Sequence, residues 1–279
     1  MKKLLFRFIA LLVLVFLCVV VYKYYLNAKI ESINTVMKVK PSSSGETEVF
    51  LSFNATRFRD NNEWLGEPVT VLYESDILGD GDHYGIGPVE DDVKNRLSAY
   101  FGKERVILAI DSWKIYAINE IDPMAELHAQ WYVNILQWAK EVLPGTDLGF
   151  YDFPNSAMFW DVDSESDNLV YHDALSLMIS IIEKSDSLYP LFYVDNIEQI
   201  DDVMTNILLI AKTFKKPVLP FMWHRVLGKE AVGQVLPDSV IQKQCEFVTN
   251  YADGVVWWSK LSEPWNGGNW YPAAYTCFN

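Results

Sequence analysis

The sequence predicts an α/β protein: a distorted (β/α), TIM-like barrel of about seven strands, preceded by an N-terminal transmembrane anchor. Three observations lead there. Short apolar runs ending in acids or aromatics alternate with helical stretches, the pattern of parallel strands joined by crossover helices. Seven such runs follow Thr47, more than a small doubly wound sheet would hold. The first residues carry a long apolar run behind basic ones.

That N-terminal segment comes first. Lys2, Lys3 and Arg7 precede an uncharged run from Phe8 to Tyr22. Together with the apolar residues before Arg7, this approaches the roughly 20 residues that span a bilayer core. Lys23, Tyr24 and Tyr25 form an interfacial edge. The small-residue pattern of a cleavage site is missing, so residues 1–27 read as an uncleaved signal anchor. The basic residues ahead of the run place the body outside the cytoplasm, periplasmic or extracellular. Residues 28–47 are polar and include Pro41 and the Ser42–Gly45 stretch, the composition of a tether. The barrel domain is then 48–279.

Within it, strands are expected at 48–53, 69–74, 105–110, 147–153, 188–194, 217–223 and 253–258. They are short and rich in Val, Ile, Leu and aromatics, as strands buried on both faces are. Helical patterns fill 89–101, 123–142, 172–184, 197–214 and 238–251. Asp122-Pro123 and Pro237-Asp238 are start signals for two of these.

The formal net charge is -14. Residues 1–30 hold five basic residues and no acid, leaving 18 basic and 37 acidic residues, a net -19, beyond them. Such a body repels nucleic acid and other polyanions. Of the three cysteines, Cys18 lies in the apolar run, while Cys245 and Cys277 lie late in the body. This late pair is compatible with a disulfide in an oxidising compartment and equally with two buried thiols. No CxxC or Cys/His cluster occurs, and no metal or cofactor is implied. Alternate acids over Asp161–Asp167 have the spacing of a calcium loop but lack its glycine and closing glutamate.

In a barrel of this kind, strand C-termini and the loops after them build the site. Those ends carry Glu74, Asp111 and Asp152 as candidate catalytic acids. Beside them stand Trp113, Tyr151, Tyr193, Trp223 and Trp258 as candidate sugar-contacting aromatics. Acids among aromatic platforms suit glycoside chemistry, where a carboxylic acid protonates the leaving oxygen. The expected partner is a polysaccharide.

Several segments resemble the hyaluronidase family of glycoside hydrolases. They are Val69-Thr-Val-Leu-Tyr73-Glu74 with Leu78-Gly79, Ile86-Gly87-Pro88, Ile107-Leu-Ala-Ile-Asp111 and Gly149-Phe-Tyr151-Asp-Phe-Pro154-Asn155. Leu188-Tyr189-Pro190-Leu-Phe-Tyr193, Pro217-Val218 and Gly254-Val-Val-Trp-Trp258 follow in the family's order over residues 48–260. The resemblance implies a groove for a polysaccharide containing N-acetylhexosamine. It also implies a retaining mechanism in which the sugar's own acetamido oxygen attacks the anomeric carbon. Asp111 matches the supporting aspartate, Tyr151 and Tyr193 the positioning tyrosines, and Trp258 the tryptophan. The chain departs from the family where its general acid should stand: Asp111-Ser112-Trp113 puts Trp113 in place of the glutamate. Ser156 lies near the place of a family cysteine, so one family disulfide is missing.

Three readings follow: a glycosidase whose acid is Asp111, Glu74 or Asp152, a barrel that binds glycan without turnover, and a scaffold for protein contacts. The negative body favours a neutral or weakly charged glycan over hyaluronan.

Overall fold

The computed structural model describes residues 48–52, 67–81, 83–117, 120–154, 165–194, 213–225 and 234–258. The expected anchor and tether, and most of the helix expected at 197–214, lie outside these residues. Among the described residues, no helix is long and apolar enough to cross a membrane.

The strands are β1 (Glu48–Ser52), β2 (Glu67–Tyr73), β3 (Arg105–Ala109), β6 (Asp147–Phe150), β7 (Leu191–Phe192), β8 (Phe221–Trp223) and β9 (Gly254–Trp258). A small antiparallel hairpin, β4 (Tyr116–Ala117) and β5 (Glu120–Ile121), follows β3. The helices are α1 (Glu74–Leu78), α2 (Glu90–Ser98), α3 (Ala125–Val142), α4 (Glu165–Lys184) and α5 (Asp238–Tyr251). Seven strands form one parallel sheet in the order β6-β3-β2-β1-β9-β8-β7. The ring closes between β6 and the chain entering β7. Tyr151 bridges Tyr189 in parallel, and the amide of Asp152 donates to the carbonyl of Tyr189 at 2.9 Å. The mixed α/β barrel with parallel strands read from the sequence is what forms.

Several strands are shorter than their apolar runs, for backbone reasons. β6 stops at Phe150 because Asp152 takes φ 60° and Pro154 follows. Pro190 and Pro220 stand directly before β7 and β8 and delay the start of each, since proline has no N–H to give a ladder. The pairing itself persists around them: Leu219 donates to Leu188 and Phe221 to Pro190.

Two apolar layers result. The outer layer lies between strands and helices, where α3 buries Ala125, His128, Tyr132, Ile135, Leu136 and Ala139 at helical spacing. The inner layer fills the barrel with Ile107, Tyr189, Leu219, Phe221 and Val256, joined by Val69 and Val71. Gly149 makes room for this filling. A Cβ there would lie 2.3 Å from the carbonyl oxygen of Ser187 and 2.8 Å from the Tyr189 ring. At the opposite end from the strand C-termini, Arg105 holds Asp147 at 2.9 Å, and Ser187 Oγ donates to the same carboxylate at 2.8 Å.

Candidate functional site

Five strand ends deliver aromatic side chains to one mouth. Tyr73 closes β2, Tyr151 follows β6, Tyr193 follows β7, Trp223 closes β8 and Trp258 closes β9. The Tyr151 and Tyr193 hydroxyls meet at 3.3 Å. The Tyr193 ring lies 5.7 Å from Trp223 and 6.3 Å from Trp258, and the two indoles are 5.1 Å apart. The Trp258 N–H donates to the Tyr73 hydroxyl. Tyr193 and Trp223 are buried, whereas Tyr73, Tyr151 and Trp258 keep part of their surface open. Burial raises the phenols of Tyr151 and Tyr193, so both stay neutral hydrogen-bond donors at any physiological pH. The sequence-expected Tyr151, Tyr193, Trp223 and Trp258 therefore stand together.

The candidate acids gather beside them. Asp111 sits just past β3 and Asp152 just past β6, while Glu74 opens α1. All three act electrostatically on the buried Tyr132 hydroxyl. Asp111 as a residue is exposed, yet its carboxyl is partly withdrawn from water. That desolvation raises its pKa, the negative charge of Glu74 raises it further, and Lys114 pulls the other way.

The loop bearing Asp111 is held at two amides and three carbonyls. Glu74 Oε2 accepts from the amides of Asp111 (3.0 Å) and Ser112 (2.9 Å), and Oε1 accepts from Ser112 Oγ (2.7 Å). Tyr132 Oη lies 3.0 Å from the Ile110 carbonyl and 2.6 Å from that of Trp113, sharing its one proton between them. His128 Nδ1 meets the Lys114 carbonyl at 2.8 Å, so that nitrogen carries the hydrogen.

Trp113 is placed differently from the other aromatics. Expected among the sugar-contacting residues, it is 2% exposed and has no face open to a ligand. Its ring lies 5.0 Å from Trp131 and 5.6 Å from Tyr132, and its N–H donates to the His83 carbonyl at 3.0 Å. The reason is a local alternation: Ile110, Trp113 and Ile115 turn into the outer core, while Asp111 and Lys114 face water. Sequence reasoning missed Ser112, Tyr132 and His128. A signal existed for Tyr132 and His128, as polar atoms on the apolar stripe of α3 must find partners somewhere. Among the described residues, no group of three or more His, Cys, Asp or Glu side chains could hold a metal ion.

The chain has the fold of a hyaluronidase-like barrel. The particular likeness is to bee venom hyaluronidase. Its monoclinic crystal structure matches with a TM-score of 0.60 at 14% identity, over 82% of this chain and 100% of that one. The structure of bee venom hyaluronidase in complex with a hyaluronic acid tetramer matches with a TM-score of 0.56 at 14% identity, over 77% and 91%. At that identity the likeness establishes the fold. No family model matches the chain, and no curated protein matches it.

Proposed function

We propose that the barrel takes a polysaccharide containing N-acetylhexosamine across its mouth and hydrolyses it, with Asp111 as the proton-carrying carboxyl. The observation behind this reading is the environment of Asp111. It is a partly desolvated carboxyl beside a second negative charge, at a strand end ringed by tyrosines. A general acid needs its pKa lifted toward the working pH, and both influences act in that direction. In the proposed reaction the acetamido oxygen of the sugar attacks the anomeric carbon while Asp111 protonates the departing glycosidic oxygen. Water then opens the cyclic intermediate and its proton returns to Asp111. Tyr151, Tyr193 and Trp258 would orient the acetamido group. Removing this acid by Asp111→Asn is expected to lower turnover by about 10²- to 10⁴-fold, the usual worth of a placed general acid.

One observation favours a second reading, glycan binding without turnover. Trp113 fills the glutamate's place as core, and Glu74 is engaged by three donors. Reducing-end release by the full chain on hyaluronan, chondroitin, chitin oligomers and neutral polysaccharides separates the two. Release that disappears in Asp111→Asn supports hydrolysis. Glycan binding with no release on any of them supports the second reading.

The same proposal includes residues 1–27 as a membrane anchor with the body outside the cytoplasm, and a Cys245–Cys277 disulfide. Supporting the disulfide, Cys245 is buried in the core. Alkaline extraction of membranes tests the anchor, and non-reducing peptide mapping tests the pairing.

A further inference from the structure

We propose that Glu74 is a positioning residue: it clamps the Asp111–Ser112 backbone at the barrel mouth and supplies a fixed negative charge beside Asp111. This deepens the reading of Asp111 as the working carboxyl and rests on it for its functional meaning. The geometry carries the assignment. Glu74 opens α1 directly after the last residue of β2, so the strand end fixes where its side chain starts. From there its two oxygens accept from two consecutive amides and one hydroxyl, all within 3.0 Å. Those amides belong to the turn out of the neighbouring strand β3, which pairs with β2 up to Tyr73 and Ala109. Glu74 therefore ties the ends of two adjacent strands together across the mouth.

Three of the roughly four lone-pair sites of this carboxylate are taken by donors of the neighbouring strand end, which gives Glu74 a holding role. That separates it from Asp111, whose side chain makes no part of the clamp. Asp111 is faced by Glu74 from α1, Tyr73 from β2, Tyr132 from α3, Tyr151 beyond β6 and Lys114 on its own loop. Of these, Glu74 is the carboxylate and Lys114 the one cation. The lift that Glu74 gives Asp111 agrees with this arrangement.

The test uses the full chain labelled with ¹³C at aspartate carboxyls, the Asp111 signal being assigned by its loss in Asp111→Asn. Glu74→Gln removes the charge, while its amide oxygen can still accept from the two backbone amides and its amide nitrogen can donate to Ser112 Oγ. Its Asp111 midpoint should drop relative to the parent, and an unchanged midpoint overturns the proposal. Glu74→Asp keeps the charge but falls short of the amides. Hydrogen exchange at Asp111 and Ser112 should accelerate there, while the Asp111 midpoint stays raised. Should Glu74→Gln not fold, Glu74→Asp decides alone: faster exchange at these two amides supports the clamp, and unchanged exchange overturns it. Both readouts are made without substrate. Failure of hydrolysis, seen as no sugar release by the parent, is thus distinguishable from failure of the Glu74 assignment.

Discussion

Placing a glutamate at position 113 by Trp113→Glu should unfold the protein instead of adding an acid to the mouth. Trp113 is 2% exposed, packed on Trp131, Tyr132 and His128, and hydrogen-bonded to the His83 carbonyl. Truncating a buried tryptophan costs about 3–5 kcal/mol through lost burial and the cavity left behind. The glutamate would then either place an unpaired carboxylate in that aromatic nest or stay protonated, and leaving a buried charge uncompensated costs about 3–5 kcal/mol more. The sum approaches the entire stability of an ordinary domain, about 5–15 kcal/mol. Urea denaturation followed by tryptophan fluorescence and by far-ultraviolet circular dichroism measures this. The expected result is a variant mostly unfolded without denaturant, or one with its midpoint far below the parent's. A folded Trp113→Glu with a parent-like midpoint and new sugar release would refute the argument. It would mean that the loop can turn over and present residue 113 to the mouth.

Two further outcomes are expected. Gly149→Ala should destabilise the barrel by about 1–3 kcal/mol or more, because the new methyl meets a backbone carbonyl at 2.3 Å and backbone cannot step aside like a side chain. Thermal unfolding should show a lower Tm, and a Tm within error of the parent would show that the interior has slack. Asp111→Asn should stabilise the protein near neutral pH. The pKa of Asp111 is raised in the folded state, so the folded chain binds its proton more tightly than the unfolded chain does. The charge costs stability progressively as pH rises through the window between the ordinary carboxylate range and the raised value. The gain should be present above that window and vanish below the ordinary carboxylate range. A gain independent of pH between 3 and 8 would assign it to something other than the charge.

Much of the barrel was legible because parallel strands are buried on both faces and so read as plain apolar runs. The ends of β3 and β9 fall within a residue or so of the runs that announced them. Helix starts were less legible. Asp122-Pro123 signals a start, yet α3 begins at Ala125, with Asp122 Oδ1 accepting from the Met124 amide just ahead of it. The helix expected from His172 begins at Glu165. α1 went unseen because five residues are too few to show a period; the Tyr73 amide bonded to Asp76 marks it only in three dimensions. The site was legible where residue type and strand-end position suffice: Glu74, Asp111 and Asp152 gather with Tyr151, Tyr193, Trp223 and Trp258. The inward turn of Trp113 was not, because whether a loop residue turns inward depends on the neighbouring helix. Trp113 and Tyr132 meet across 19 positions of sequence, and a reading of residue types one by one cannot anticipate that meeting.

The closure of the barrel has a mechanical consequence. Between β6 and the chain entering β7, the ring is stitched by Asp186 to Leu148, Asp152 to Tyr189 and Tyr189 to Phe153, around the place where Gly149 yields to a ring and a carbonyl. Tyr151 and Tyr193 stand on opposite banks of that join, linked only through their hydroxyls at 3.3 Å. The clasp of the hoop thus lies beneath this contact, and the distance between the two tyrosines is set by how tightly the barrel shuts.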